Sequence, residues 1–139
     1  MTEKTIEELD KFFQANELLQ GTPLTEIELT QAEQELNVIF DPDYKQFLRL
    51  FGGSMLGHLP IYGLHNAEVM ENKSVVQLSQ SFREDNWPGV EHNYIFSVDQ
   101  SGNPFTINSE GQVTSFDHDA GEFYVVADSF EALLLSHIE

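Results

Sequence analysis

Cysteine is absent from all 139 residues. That removes disulfides, thiolate nucleophiles and Cys-based zinc sites from consideration. Positive charge is scarce. Six Lys and Arg stand against 24 Asp and Glu, giving a formal net charge of −18 and a pI near 4.3. The last cation is Arg83, so residues 84–139 hold eleven acids and no Lys or Arg. Nucleic-acid binders neutralise phosphates with Lys and Arg, and anionic bilayers attract the same side chains. The composition therefore speaks against nucleic acid and against membrane surfaces as partners, and for a cationic one. No run approaches the ~20 apolar residues that cross a bilayer. The opening stretch, MTEKTIEELDKFF, is acidic where a signal peptide is basic, and the expected location is cytoplasmic.

Signature loops are missing as well. There is no G-x-S-x-G elbow and no G-x-G-x-x-G or Walker loop following a strand. Asp99, Ser101, Asn103 and Glu110 fall at positions 1, 3, 5 and 12 of a calcium-loop pattern, but position 6 is Pro104, where that loop needs glycine for its sharp turn. The histidines, His58, His65, His92, His118 and His137, show no metal-like spacing. The expectation is no metal, no cofactor and no catalytic constellation, hence a binding module rather than an enzyme. His118, set between Asp117 and Asp119, has neighbours that a proton-transfer group uses. The competing reading is that it ends a strand and ties a turn.

What is present is core material. Hydrophobic residues make up 40% and aromatics 12%, with eleven Phe, too much for a disordered chain. The length fits one domain, 1–139, able to bury about two thirds of its unfolded surface. Residues 5–19 read as a helix with Ile6, Leu9, Phe12 and Phe13 on one side. Thr25 and Glu28 form a capping box before a helix with Leu29, Ala32 and Leu36 on one stripe. Asp41 caps the next helix, Pro42 takes its first position, and Tyr44, Phe47, Leu48 and Phe51 follow at i, i+3, i+4 and i+7. Gly52 and Gly53 end it. SMLGHLPIYGL reads as short strands broken at Gly57 and Gly63. Residues 66–85 are helical in part, with Val75, Val76, Leu78 and Phe82 inward, and NWPGVEHN is a loop. From Tyr94 the period becomes two: YIFSVD, PFTIN, QVTSFD and EFYVVA are four strands separated by turn residues. Ser129 caps a final helix with Phe130, Leu133, Leu134 and Ile138 on its apolar side. The sum is an α+β fold: N-terminal helices, a meander of four or more antiparallel strands, and a C-terminal helix.

Two stretches carry a family resemblance. "LTEIELTQAEQELNVIFDPDYKQFLRLFGGSMLG" resembles the N-terminal signature of the SMI1/KNR4 family, the SUKH superfamily, through Thr25, Glu28, Glu33, Leu36, Tyr44, Phe47, Leu48, Gly52 and Gly53. "FSVDQSGNPFTINSEGQVTSFDHDAGEFYVVADSFEALL" is similar to its C-terminal half, through Gly102, Asn103, Pro104, Gly111, Val113, Asp117, His118, Ala127, Ser129 and Phe130. The resemblance covers about residues 20–137. Where the family has Leu-Pro before the Tyr helix, this chain has Phe40-Asp41-Pro42. Where the family often has Asn-Gly after that helix, it has Gly-Gly-Ser. Residues 66–92 match no part of the pattern.

The resemblance implies a helix-flanked antiparallel sheet and no agreed catalytic residues. Many bacterial members are inferred to be immunity proteins that bind and block a toxin domain, often a basic nuclease. Other members are regulatory proteins of cell-wall synthesis, which makes a regulatory scaffold or adaptor without a toxin partner the alternative. In the immunity reading a dense acidic face fills the basic groove of the toxin and speeds its capture. Within FDHDAGEF (116–123), Asp117 and His118 then hold the turn, and Asp119 and Glu122 join Asp99, Glu110 and Asp128 as candidates for that face. Trp87, in a loop before Pro88, is a candidate interface anchor or a lid over the core.

Overall fold

The computed structural model describes residues 1–138. It begins with three helices, α1 (Glu3–Ala15), α2 (Glu26–Leu36) and α3 (Pro42–Leu50). A two-stranded hairpin follows, β1 (Ser54–Leu56) and β2 (Leu59–Ile61), and then α4 (Val75–Glu84). The chain ends with a sheet in the order β3-β4-β5-β6 and with α5 (Phe130–Ile138). The sheet strands are β3 (Ser97–Val98), β4 (Pro104–Ile107), β5 (Val113–Asp117) and β6 (Glu122–Ala127), each antiparallel to the next. The α+β meander expected from the sequence is the one observed.

Local chemistry explains most boundaries. Thr25 accepts the N–H of Glu28 while the Glu28 carboxylate accepts the N–H of Thr25, so two otherwise orphan donors are satisfied. Asp41 Oδ2 accepts from the N–H groups of Asp43 and Tyr44, at 3.0 and 3.3 Å, behind Pro42. Ser74 and Gln77 form a second capping box on α4. Two boundaries differ from the sequence reading. The helix expected over 5–19 stops at Ala15, where Asn16 Nδ2 bonds the Phe12 carbonyl, and residues 17–19 continue as a tight 3-10 turn. The strand expected from Tyr94 starts only at Ser97. Residues 94–96 are buried, and Phe96 is bonded on both sides, its carbonyl by the Tyr62 N–H and its own N–H to Phe105 O. That contact lays β2 alongside the start of the meander.

The core is aromatic. Tyr44 stacks on Tyr94 at 5.3 Å and meets Phe40, Phe96 and Phe130 edge-on or tilted within 5.7 Å. Its hydroxyl donates to the Tyr62 carbonyl at 2.6 Å, and the Tyr94 hydroxyl accepts the Asp41 N–H at 2.9 Å. Burial raises the pKa of both phenols, well above the usual value of 10.0 for Tyr44. The folded state therefore keeps protons that the unfolded chain releases at alkaline pH. The stability from neutral, buried phenols is fully present below pH 10 and is lost as pH rises from there toward the folded-state values. The expected loss is about 1.4 kcal/mol per pH unit for each tyrosine. Urea titrations at several alkaline pH values check this. Burial raises Tyr62 as well, so Tyr94→Phe should lower the slope by the share of one phenol, about 1.4 kcal/mol per pH unit, and a slope it leaves unchanged would remove this explanation.

Candidate functional site

The turn between β3 and β4 is built by Asp99. Its Oδ1 accepts the N–H groups of Ser101 and Asn103, both at 2.9 Å. Asn103 is buried and returns a bond from Nδ2 to Asp99 Oδ2. Its Oδ1 accepts the His118 N–H at 3.2 Å and also faces His118 Nδ1. Because a carbonyl oxygen only accepts, that ring nitrogen is the one carrying the proton. The turn between β5 and β6 is built the same way. Asp117 Oδ1 accepts the N–H groups of Asp119 and Ala120, and Gly121, at φ +73°, returns its N–H to the Asp117 carbonyl. Asn103 and His118 thus join two hairpin turns at one end of the sheet.

Trp87 completes this end. Its ring lies 5.1 Å from Phe82, 5.7 Å from His118 and 6.2 Å from Phe116, and Phe116 pairs with Phe123 at 5.0 Å across β5 and β6. The loop holding Trp87 is fixed by Arg83. The guanidinium donates to the carbonyls of Val90, Leu36 and Asn93 at 3.0, 2.9 and 2.8 Å. Trp87 is half-buried, so it closes over Phe82 and Phe116 and keeps part of its ring at the surface.

Of the six residues singled out from the sequence, four gather at this end: Trp87, Asp99, Asp119 and Glu122. Asp99 is half-buried in its turn, and Asp119 and Glu122 are exposed. Glu110 and Asp128 are exposed at the opposite end, Glu110 in the β4–β5 turn and Asp128 just after the pair Val113–Ala127. The length of β5, on the order of 13 Å, separates the two groups. The four residues of the calcium-like spacing do not converge. Asp99 spends its oxygens on its own turn, and Glu110 lies at the other end.

Charge is distributed unevenly. The N-terminal ammonium meets Asp43 at 2.8 Å, Lys45 meets Glu33 at 3.6 Å, Arg49 pairs with Glu26, and His65 faces Glu28 at 2.7 Å. The capping N–H of Thr25 and then the His65 contact hold the Glu28 carboxyl below its usual range. Among the described residues, no Lys or Arg pairs with an acid from Glu84 onward. Arg83, the nearest cation in sequence, is turned onto backbone carbonyls. Sequence reasoning missed three features of this end: the Asn103 hub, the Arg83 clamp and the outward apolar residues of β6. The isolation of Arg83 as the last cation was a usable signal. The apolar run Phe123–Ala127 sets β6 apart from PFTI and VTSFD, but a continuous run points to a covered strand and not to an open one.

A model of the SUKH_5 family, described as SMI1-KNR4 cell-wall, matches residues 2–139. The fold and the match agree, and the chain belongs to the SMI1-KNR4 family. No curated protein matches it.

Proposed function

We propose that the protein is a non-catalytic binding domain of the immunity type, which captures and neutralises a basic toxin domain. The observation that carries this reading is the uncompensated acidity of the C-terminal half. Its carboxylates are free of Lys and Arg partners among the described residues, and the nearest cation is spent on the backbone. A surface of one sign steers an oppositely charged partner and raises its association rate. Trp87, half-exposed beside Asp119 and Glu122, supplies the aromatic anchor that such interfaces use. The family's description, which refers to the cell wall, favours a second reading, a regulatory adaptor with endogenous partners.

The test has two stages. The immobilised protein is loaded with lysate and eluted with a salt gradient, and each eluted protein is then expressed alone and together with this chain. The expected result is one basic protein, released by salt, that arrests growth alone and is harmless in the presence of this chain. A spread of non-toxic proteins would support the adaptor. With the partner in hand, the double variant Asp119→Lys/Glu122→Lys should slow association by about tenfold or more at low salt. Glu110→Lys/Asp128→Lys, at the far end, should slow it much less. Equal effects of the two would remove the assignment of the partner to the Trp87 end.

A further inference from the structure

Strand β6 is the outer edge of the meander, and its central residues are exposed on both faces. Phe123, Tyr124 and Val125 keep 55%, 42% and 51% of their surface in contact with solvent. Successive side chains of a strand point to opposite faces, so exposure of three in a row means that neither face of this edge is fully covered, although Phe123 rests on Phe116 and near Gly89. The strand is otherwise well formed, paired with β5 from Glu122 to Ala127, with an irregularity only between Val113 and Thr114 of its partner. Among the described residues, no loop or helix backbone bonds to its outer side. Natural edges of this kind are ordinarily blunted by Lys, Pro or a covering segment. Here the central three residues carry none of these. The other large exposed apolar residues, Leu18, Ile27, Ile39, Leu50 and Val69, are scattered over helices and loops, which is ordinary for a protein surface.

The ends of the strand decide what can pair with it. Glu122 and Asp119 stand at one end and Asp128 at the other, all exposed. A second copy pairing antiparallel would set Glu122 against the copy's Asp128 end, and a parallel copy would set Glu122 beside Glu122. Like charges opposed across strands are destabilising, and each copy brings a net charge of −18. An extended segment with an apolar middle and basic ends meets neither obstacle.

The geometry points to β6 as a strand-addition site for such a segment of a basic partner, pairing backbone to backbone along Glu122–Ala127 with its Lys or Arg residues on Glu122 and Asp128. This deepens the proposed function and rests on it for the sign of the partner's charge. Main-chain bonds supply affinity in this mode, and the alternate side chains and end charges supply selectivity.

Three synthetic peptides test it against the whole protein: Lys-Thr-Val-Thr-Val-Thr-Arg, the charge-matched Lys-Gly-Ser-Gly-Ser-Gly-Arg, and the neutral-ended Ser-Thr-Val-Thr-Val-Thr-Ser. Binding is read by fluorescence anisotropy, and protection by hydrogen exchange of the β6 amides. The first peptide should bind about tenfold more tightly than either control, as expected from a few cross-strand pairs. It should also slow exchange within 122–127. Val125→Lys, at an exposed position, should reverse the gain, and Tyr124→Lys serves equally if that variant folds poorly. Equal binding of the first two peptides would overturn strand addition while leaving an acidic surface that attracts cations. Binding of the first and third alike would overturn the role of the end carboxylates. A protein that is dimeric by light scattering, with β6 amides already protected, would overturn it in favour of self-pairing.

Discussion

Gly53→Ala is expected to cost the protein about 3–5 kcal/mol, a large share of the usual stability of a domain this size. Three chain segments cross where Gly53 sits. Its carbonyl accepts the Ala67 N–H at 2.9 Å, and a Cβ added to it would enter the space of Asn66 Oδ1 and the Gly63 nitrogen. Asn66 cannot yield without loss. Its Oδ1 accepts the Gly63 N–H at 2.8 Å, and its Nδ2 donates to the Lys73 carbonyl at 2.7 Å. Gly21 and Gly63 are also held close, each facing Gly53 backbone atoms, Gly21 the more tightly. The substitution therefore adds overpacking and breaks half-buried hydrogen bonds together. Gly102→Ala provides the contrast. Its φ of +84° is costly for alanine, but nothing lies near the added carbon, so the expected cost is about 1–2 kcal/mol. Urea unfolding of both variants with an unchanged denaturant slope checks the ranking. Equal costs would show that Asn66 and Gly63 yield to the added carbon and that the crossing is not tight, because Gly53, unlike Gly102, carries no left-handed backbone.

Arg83→Ala should cost about 3 kcal/mol and, unlike the glycine variant, should act on the candidate site. The guanidinium is the shared donor for three carbonyls, two in the 86–93 loop region and one at the C-terminus of α2. Hydrogen bonds from a charged donor are the stronger kind, and three carbonyls lose a partner at once. Lysine, a point charge on a flexible stem, cannot reproduce a fork that reaches three directions, so Arg83→Lys should recover less than half of the loss. The loop released is the one that holds Trp87 against Phe82 and Phe116. Trp87 is the only tryptophan, so its fluorescence reports the event: a red shift in the folded variant below the unfolding transition. Loss of stability with unshifted emission would mean that the aromatic contacts alone hold the loop.

Both residues show where sequence reasoning stopped. In the linear pattern Gly53 stands with Gly52 as a helix stop. Gly52, at φ +71°, does take the left-handed conformation at the end of α3, whereas Gly53 is needed for the closeness of Gly63 and Asn66, which a linear pattern does not display. Arg83 was visible as the last cation, yet its three acceptors lie at positions 36, 90 and 93. The acids divide in the same way. Their abundance after residue 83 was plain, but four of the six singled-out residues share one end only because consecutive strands run antiparallel. Turns 99–103 and 117–121 meet there, and turn 108–112 does not.

The sequence by itself determined the elements and their class. Capping boxes, the proline at the start of α3, the helical spacing of Tyr44, Phe47, Leu48 and Phe51, and the switch to period two are local signals. They act within one turn of helix or one pair of neighbouring side chains, and the family signature is written in the same short-range terms. Only the tertiary structure decided which of these elements stay uncovered. Strand β6 holds the longest apolar run of the meander, a pattern that reads as covered on both faces, yet it is left at the edge with Phe123, Tyr124 and Val125 in solvent. The exposure of a strand depends on what packs beside it, and its neighbours are set by chain reversals and long-range contacts. The carboxylate count was a property of the composition. Its concentration around a half-open tryptophan and a free strand edge came from the order in which the sheet was assembled.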